Sequence, residues 1–281
     1  LQKVRNLYKA EQAGHTGALD PLATGVLPIC IGEATKVAGY LLGNDKAYIV
    51  TAQLGCTTDT DDAEGQVLQQ RAIGVYSKQQ IEQLLEDFVG EIQQVPPIYS
   101  ALKQGGEPMY VKARRGDVID LPARTVHIHS ISLNKLNADT LELSVVCGTG
   151  TYIRSLVRDL GERLGCGAHV TELRRTWVQP FQSETLWTIE QLEALAEQGT
   201  EALDAVLMPV EVALSGIQKL IVDDEQARKI GMGQKITVSN MNEAVELIQL
   251  CSPQDRCLGL ASIDASGLLK VQRLFCWASI S

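Results

Sequence analysis

The chain has 281 residues, 45% of them hydrophobic and 21% charged, with 25 Lys plus Arg against 34 Asp plus Glu. This fits a folded protein of one large or two unequal domains with a sizeable core, and excludes disordered and collagen-like classes. A net charge of −9 argues against a protein that coats nucleic acid through general positive charge, so any nucleic-acid site must be local.

In chain order, ATKVAGYLL over 34–42 predicts a short helix ended by Gly43, and KAYIVTAQLG then alternates as a strand with Tyr48, Val50, Ala52 and Leu54 on one face. TTDTDDAEGQ reads as a polar loop. Ser77 and Gln80 form a capping box for a helix carrying Ile81, Leu84, Leu85, Phe88 and Val89 up to Gly90. Residues 125–133 and 140–147 predict a hairpin about the Asn137–Asp139 turn. A helix follows with Ile153, Leu156, Val157, Leu160 and Leu164 on one side, and Thr188 with Gln191 caps another that ends at Gly199.

From about residue 218 the pattern shortens to a brief helix, EQARKIG, among short strands, which predicts a small β-barrel. The expected organisation is an α+β fold with a mixed, largely antiparallel sheet over 1–216 and a small barrel over 217–281.

Charge is distributed unevenly, at +1 over 1–48, −6 over 49–98, +3 over 99–176 and −7 over 177–281. The seven cysteines (30, 56, 147, 166, 251, 257 and 276) form no CxxC pair, and no Cys/His cluster has zinc-site spacing. The expectation is reduced thiols, no metal and a cytoplasmic location. No basic segment leads into an apolar core at the N-terminus, and no run of ~18 apolar residues occurs, which disfavours secretion and membrane insertion. The first residue is Leu1, so the chain is expected to begin inside a longer coding sequence.

The densest segment is GHTGALDPLATGVLPICIGEATK over 14–36. On physics alone Asp20 before Pro21 starts a turn, while a carboxylate on a Gly-flanked loop is also open to substrate as a nucleophile or base. No GxxxxGKS phosphate loop and no GxSxG elbow is present, so kinase and serine-hydrolase readings have no support. On spacing alone His15 is a turn histidine, Tyr48 a core-facing strand residue and Arg154 a solvated helix side chain. Residues 99–125 carry five Lys or Arg among three acids and no clean period, a long loop of the kind that is more often functional than accidental.

GHTGALDPLATG with GVLPICIGEATK closely resembles the catalytic motif of the TruB family of tRNA pseudouridine synthases. KAYIVTAQLG, TDTDDAEG, VPPIYSALK, GTYIRSLVRDLGERLGCGAHVTELRRT and LMP follow in family order, so the resemblance spans residues 14 to about 209. It implies a pseudouridine-synthase fold and isomerisation of uridine-55 in the T-loop of tRNA, without cofactor. Asp20 is then the nucleophile. Whether it attacks C6 of the base or C1′ of the ribose, or whether a glycal forms, stays open.

The resemblance further implies that the base is flipped into a pocket, with His15 filling the space it leaves. Tyr48 stacks on the uracil, Arg154 pairs with the catalytic carboxylate, Tyr152 lines the pocket and Leu173 contacts the base. Residues 99–125 become the insertion that grips the T-arm, with Lys103, Lys112, Arg114 and Arg115 on phosphates, joined by Arg174 and Arg175. The C-terminal barrel resembles a PUA-type RNA-binding module, more loosely. The implied molecule is a monomer that needs no protein partner. Family members begin with a DKPxGxTS-like stretch that this chain is expected to lack, which keeps a non-catalytic tRNA-binding module as the alternative. A guide-RNA-dependent relative is disfavoured by the wording of LDPLATGVLPICIGEATK.

Overall fold

The computed structural model describes residues 1–100, 103–104, 106–109, 111, 115, 121–238 and 243–279. They divide into two compact units. One comprises residues 18–27 and 43–179, the other residues 1–17, 28–42 and 180–281.

The first unit is built on a six-stranded sheet. Its strands run in the order Thr24–Gly25, Ala168–Val178, Lys46–Leu54, Thr140–Cys147, Arg124–Leu136, Gly90–Gln94. All pairings are antiparallel except that of Thr24–Gly25 with Arg174–Arg175. The expected alternation holds in the Lys46–Leu54 strand: Val50, Ala52 and Leu54 are buried and half-buried Tyr48 packs against the same core. The hairpin is also present, its turn closed by Asn137 N–H to the Thr140 carbonyl at 2.9 Å.

Two helices cover this sheet. Lys78–Glu86 starts on the predicted Ser77/Gln80 capping box but stops three residues before Val89. Gly90 at φ +93 then turns the chain into the edge strand, leaving Val89 exposed. Ile153–Leu164 buries Ile153, Leu156, Val157 and Leu160 as predicted and ends on Gly165 at φ +80. Removing one of these fully buried leucines to alanine costs about 2–5 kcal/mol. Gly161 of this helix faces Ala168 so closely that a Cβ there would overlap its backbone nitrogen, so helix and strand meet at main-chain contact.

The second unit holds a five-stranded sheet in the order Lys219–Ile221, Val245–Cys251, Cys257–Ile263, Leu268–Leu274, Ile236–Thr237. Its core joins Ile248, Leu250, Leu258 and Ile263 to Ile230 of the Asp224–Gly231 helix, which a capping box between Asp223 and Gln226 starts. Among the described residues Lys219–Ile221 and Ile236–Thr237 form the ends of this sheet, so the small barrel expected of this region takes the form of a half-barrel.

The Thr188/Gln191 cap starts Ile189–Gln198 as predicted. The single helix expected over 34–42 is instead a 3-10 turn, Gly32–Lys36, and a short helix, Ala38–Leu41, joined at Val37, whose φ of −105 departs from helical geometry.

The compact units do not divide at residue 216. Phe181 packs with Cys30 and Leu41, and Leu214 with Val37, Cys257 and Phe275, which gathers residues 180–216 and two N-terminal segments onto the C-terminal sheet.

Candidate active site

Asp20 begins a tight turn through Pro21, closed by Ala23 N–H to the Asp20 carbonyl at 2.9 Å. The turn expected from Asp-Pro is therefore present in the main chain, while the side chain reaches a distant partner. Arg154, the second residue of its helix, donates from Nε to Asp20 Oδ2 and from Nη2 to Asp20 Oδ1, both at 2.9 Å. This bidentate pair fixes the plane and direction of the carboxylate.

The guanidinium is saturated. Nη1 donates to the Thr60 carbonyl and Nη2 to that of Tyr99, each at 3.0 Å, and Nη1 lies 3.3 Å from Asp62 Oδ2. Arg154 is 4% exposed and Asp62 3% exposed, whereas 32% of the Asp20 side chain remains open. A solvated helix arginine is thus corrected to a buried one. Its helix faces the 58–66 loop, whose carboxylates provide charge.

One turn along the helix, Arg158 holds Asp61 at 2.9 Å and Asp159 at 2.9 Å. Burial pushes the Asp61 carboxyl up against the opposing pull of Arg158. Asp61 and Asp62 went unrecognised as site residues in the sequence. The available signal was TDTDDAEG itself, a run of acids set against two arginines four apart in the helix.

A cavity of about 110 Å³ opens beside Asp20, lined by Asp20, Tyr48, Tyr152 and Leu173 together with Leu19 and Ile153. Four side chains singled out in the sequence therefore share one small space, with Arg154 behind the carboxylate. Gln94, fully buried, positions the helix entrance. It accepts from Tyr152 N–H at 2.8 Å and donates to the Tyr152 carbonyl at 3.1 Å. Arg124 lies 4.9 Å over the Tyr152 ring. Burial, the largest effect, pushes the Tyr48 hydroxyl up to about 12, so the phenol is neutral at physiological pH.

A larger cavity, about 340 Å³, lies by Asp45, His127 and His129, away from these residues. His129 Nε2 stands 3.0 Å from Asp45 there. Among the described residues no cluster of three His, Cys, Asp or Glu could hold a metal ion.

His15 lies in the other compact unit, on the strand Ala13–His15, where its Nδ1 accepts from Gly17 N–H at 3.2 Å. Arg174 is exposed, with Nη1 3.4 Å from Thr24 Oγ1. Arg175 is 2% exposed and donates to the Val26 carbonyl at 2.7 Å. Its expected contact with RNA phosphate is therefore corrected, because strand alternation turns Leu173 and Arg175 inward and only Arg174 outward.

In the 99–125 segment, Lys103–Gln104 pairs with Glu107–Pro108, and Arg115 forks onto both carboxylate oxygens of Glu107 at 2.9 and 3.0 Å. Lys112, Arg114 and the Lys103 side chain lie outside the described residues. Arg124 and Thr125 begin the following strand.

The fold is that of a pseudouridine synthase. A crystal structure of a Cbf5-Nop10-Gar1 complex superposes with a TM-score of 0.75 at 26% identity, covering 97% of this chain and 79% of that one. An archaeal box H/ACA sRNP Nop10-Cbf5 complex gives 0.73 at 23% identity over 99% of this chain and 82% of that one, a likeness of fold.

The family description "TruB family pseudouridylate synthase (N terminal domain)" matches residues 5–153, "tRNA pseudouridylate synthase B C-terminal domain" 154–215, and "Pseudouridine synthase II TruB, C-terminal" 219–275. The tRNA pseudouridine synthase B of Xanthomonas euvesicatoria pv. vesicatoria is 50% identical over 98% of this chain and 88% of its own length. Those of Xylella fastidiosa and Mannheimia succiniciproducens are each 47% identical over 98% of this chain and 90% of theirs. The chain belongs to the TruB family of pseudouridine synthases, and is an isomerase.

Proposed function

We propose that the protein converts uridine-55 in the T-loop of tRNA to pseudouridine, with Asp20 as the nucleophile. The single observation that carries this reading is the bidentate Asp20–Arg154 pair at the wall of a cavity lined by Tyr48, Tyr152 and Leu173. A uracil fits such a space only when taken out of the stack, at a cost of a few kcal/mol. The reaction releases the base from C1′, turns it, and rejoins it through C5, so atoms are conserved and the carboxylate is regenerated.

Each Asp20 oxygen accepts one N–H from Arg154 and keeps lone-pair directions open, which suits a directed nucleophile for either C6 or C1′. Tyr48 offers a neutral ring for stacking on the base, and Leu173 an apolar wall. His15 is proposed to occupy the position the base vacates, and Lys103, Lys112, Arg114, Arg115 and Arg174 to follow the RNA backbone. The non-catalytic alternative has no specific observation in its favour, since the Asp–Arg pair is complete. The protein is further proposed to act as a cytoplasmic monomer. Among the described residues no helix is long and apolar enough to cross a membrane.

The test is conversion of an isolated T-arm hairpin without added cofactor, followed by carbodiimide block of primer extension. A block at the T-loop uridine is expected. Tight binding of the hairpin with no block would favour the binding-module reading.

A further inference from the structure

Arg175 is the largest fully buried side chain among the described residues, and a buried guanidinium is stable only where its donors are used. Its Nε donates to the Val26 carbonyl at 2.7 Å, at the end of the loop that carries Asp20. Its side chain also neighbours that of Tyr48 on the inward face of the sheet. Register explains both contacts, because Arg175 stands opposite Tyr48 on one neighbouring strand and opposite Gly25 on the other. One side chain thus holds the end of the Asp20 loop and stands beside the phenol, across three strands.

We propose that Arg175 is a positioning residue that acts on the reaction through Tyr48, an inference resting on the assignment of the Asp20 cavity as the active site. Arginine has only donors, so toward this guanidinium the Tyr48 oxygen can only accept, and its own proton is left for another acceptor. The adjacent cation polarises that O–H. In the cavity that Tyr48 lines, the acceptor is an oxygen of the bound nucleotide beyond the stacked base. Cys147 on the next strand and Asp20 are the other titratable groups acting on this phenol. The Val26 bond keeps Asp20's loop in register with the same guanidinium, so nucleophile and phenol are set by one group.

The test combines Arg175→Gln with Tyr48→Phe in the full chain, reading single-turnover rate and tRNA affinity. Arg175→Gln is expected to lower the rate by about 10- to 100-fold with affinity within about 3-fold, and by less than about 3-fold in the Tyr48→Phe background. An equal loss in both backgrounds, or none in the first, overturns the proposal.

A second readout needs no turnover. The Cζ resonance of Tyr48 in 13C-tyrosine-labelled protein, identified by its loss in Tyr48→Phe, is expected to shift in Arg175→Gln, and an unmoved resonance overturns the proposal. Should Arg175→Gln not fold, Arg175→Lys, which keeps the charge but not the fork, is read in the same way. A wild type that binds tRNA without converting it would sink the proposed function alone, since the resonance still reports on the Arg175–Tyr48 contact.

Discussion

Replacing Arg154 by lysine keeps a positive charge and removes the planar fork, so it separates geometry from electrostatics. The arginine serves both Asp20 oxygens at 2.9 Å and the carbonyls of Thr60 and Tyr99 at 3.0 Å. An ammonium has three donors at one point and cannot reach acceptors arrayed round a guanidinium plane. At least two acceptors lose their partner, at about 1–3 kcal/mol for each one buried.

Asp20 is one-third open, so water replaces much of what is lost there, and the expected destabilisation is about 2–4 kcal/mol. The effect on chemistry is larger in proportion, because a carboxylate displaced by about 1 Å loses roughly 100-fold in rate. Arg154→Met further leaves Asp62 buried without its cation, a situation that costs about 3–5 kcal/mol. Urea unfolding and single-turnover conversion of tRNA by excess enzyme measure the two quantities. A lysine variant within about 3-fold of wild type, or a methionine variant of unchanged stability, would refute the reasoning.

Two other variants probe the surroundings of Asp20. The Tyr48 phenol is neutral in both folded and unfolded chains below about pH 10. Above it the unfolded chain ionises first while the folded one holds its proton to about 12, so stability is full below pH 10 and lost across that window. Between about pH 9 and pH 11 the wild type should lose roughly 1 kcal/mol more than Tyr48→Phe in urea unfolding, and parallel curves would contradict the burial argument. Gly25 sits at φ +106, where a Cβ would overlap the Arg175 carbonyl that Val26 N–H needs at 2.9 Å. Gly25→Ala should therefore release the Val26 amide to fast hydrogen exchange and lower conversion by about 10-fold or more. Retained protection would show that the loop tolerates the side chain.

Much of the framework was legible because it rests on local patterns. The Ser77 and Thr188 caps, the 140–147 hairpin strand and the apolar face of the Ile153 helix are each fixed by residues a few positions apart. The site was legible only through the long motifs. Spacing by itself made Arg154 a solvated residue, and nothing local reveals that Thr60, Asp62 and Tyr99 converge on it from positions 55 to 94 residues away. Arg174 and Arg175 look alike in sequence and differ only by strand face. Gln94 gave no signal, since a buried amide that braces a helix entrance is indistinguishable in sequence from a surface glutamine. The boundary near residue 216 follows a change in pattern, whereas the compact units follow packing of Phe181 and Leu214, which periodicity does not encode.

The central claim is that Asp20 is the group that reacts. Its direct measurement is tritium release from C5 of uridine in a T-arm hairpin, compared for wild type, Asp20→Asn and Asp20→Ala, with hairpin affinity measured alongside. Wild type should release tritium, while both variants bind the hairpin and release none. Release by Asp20→Ala at a rate near that of wild type would contradict the account.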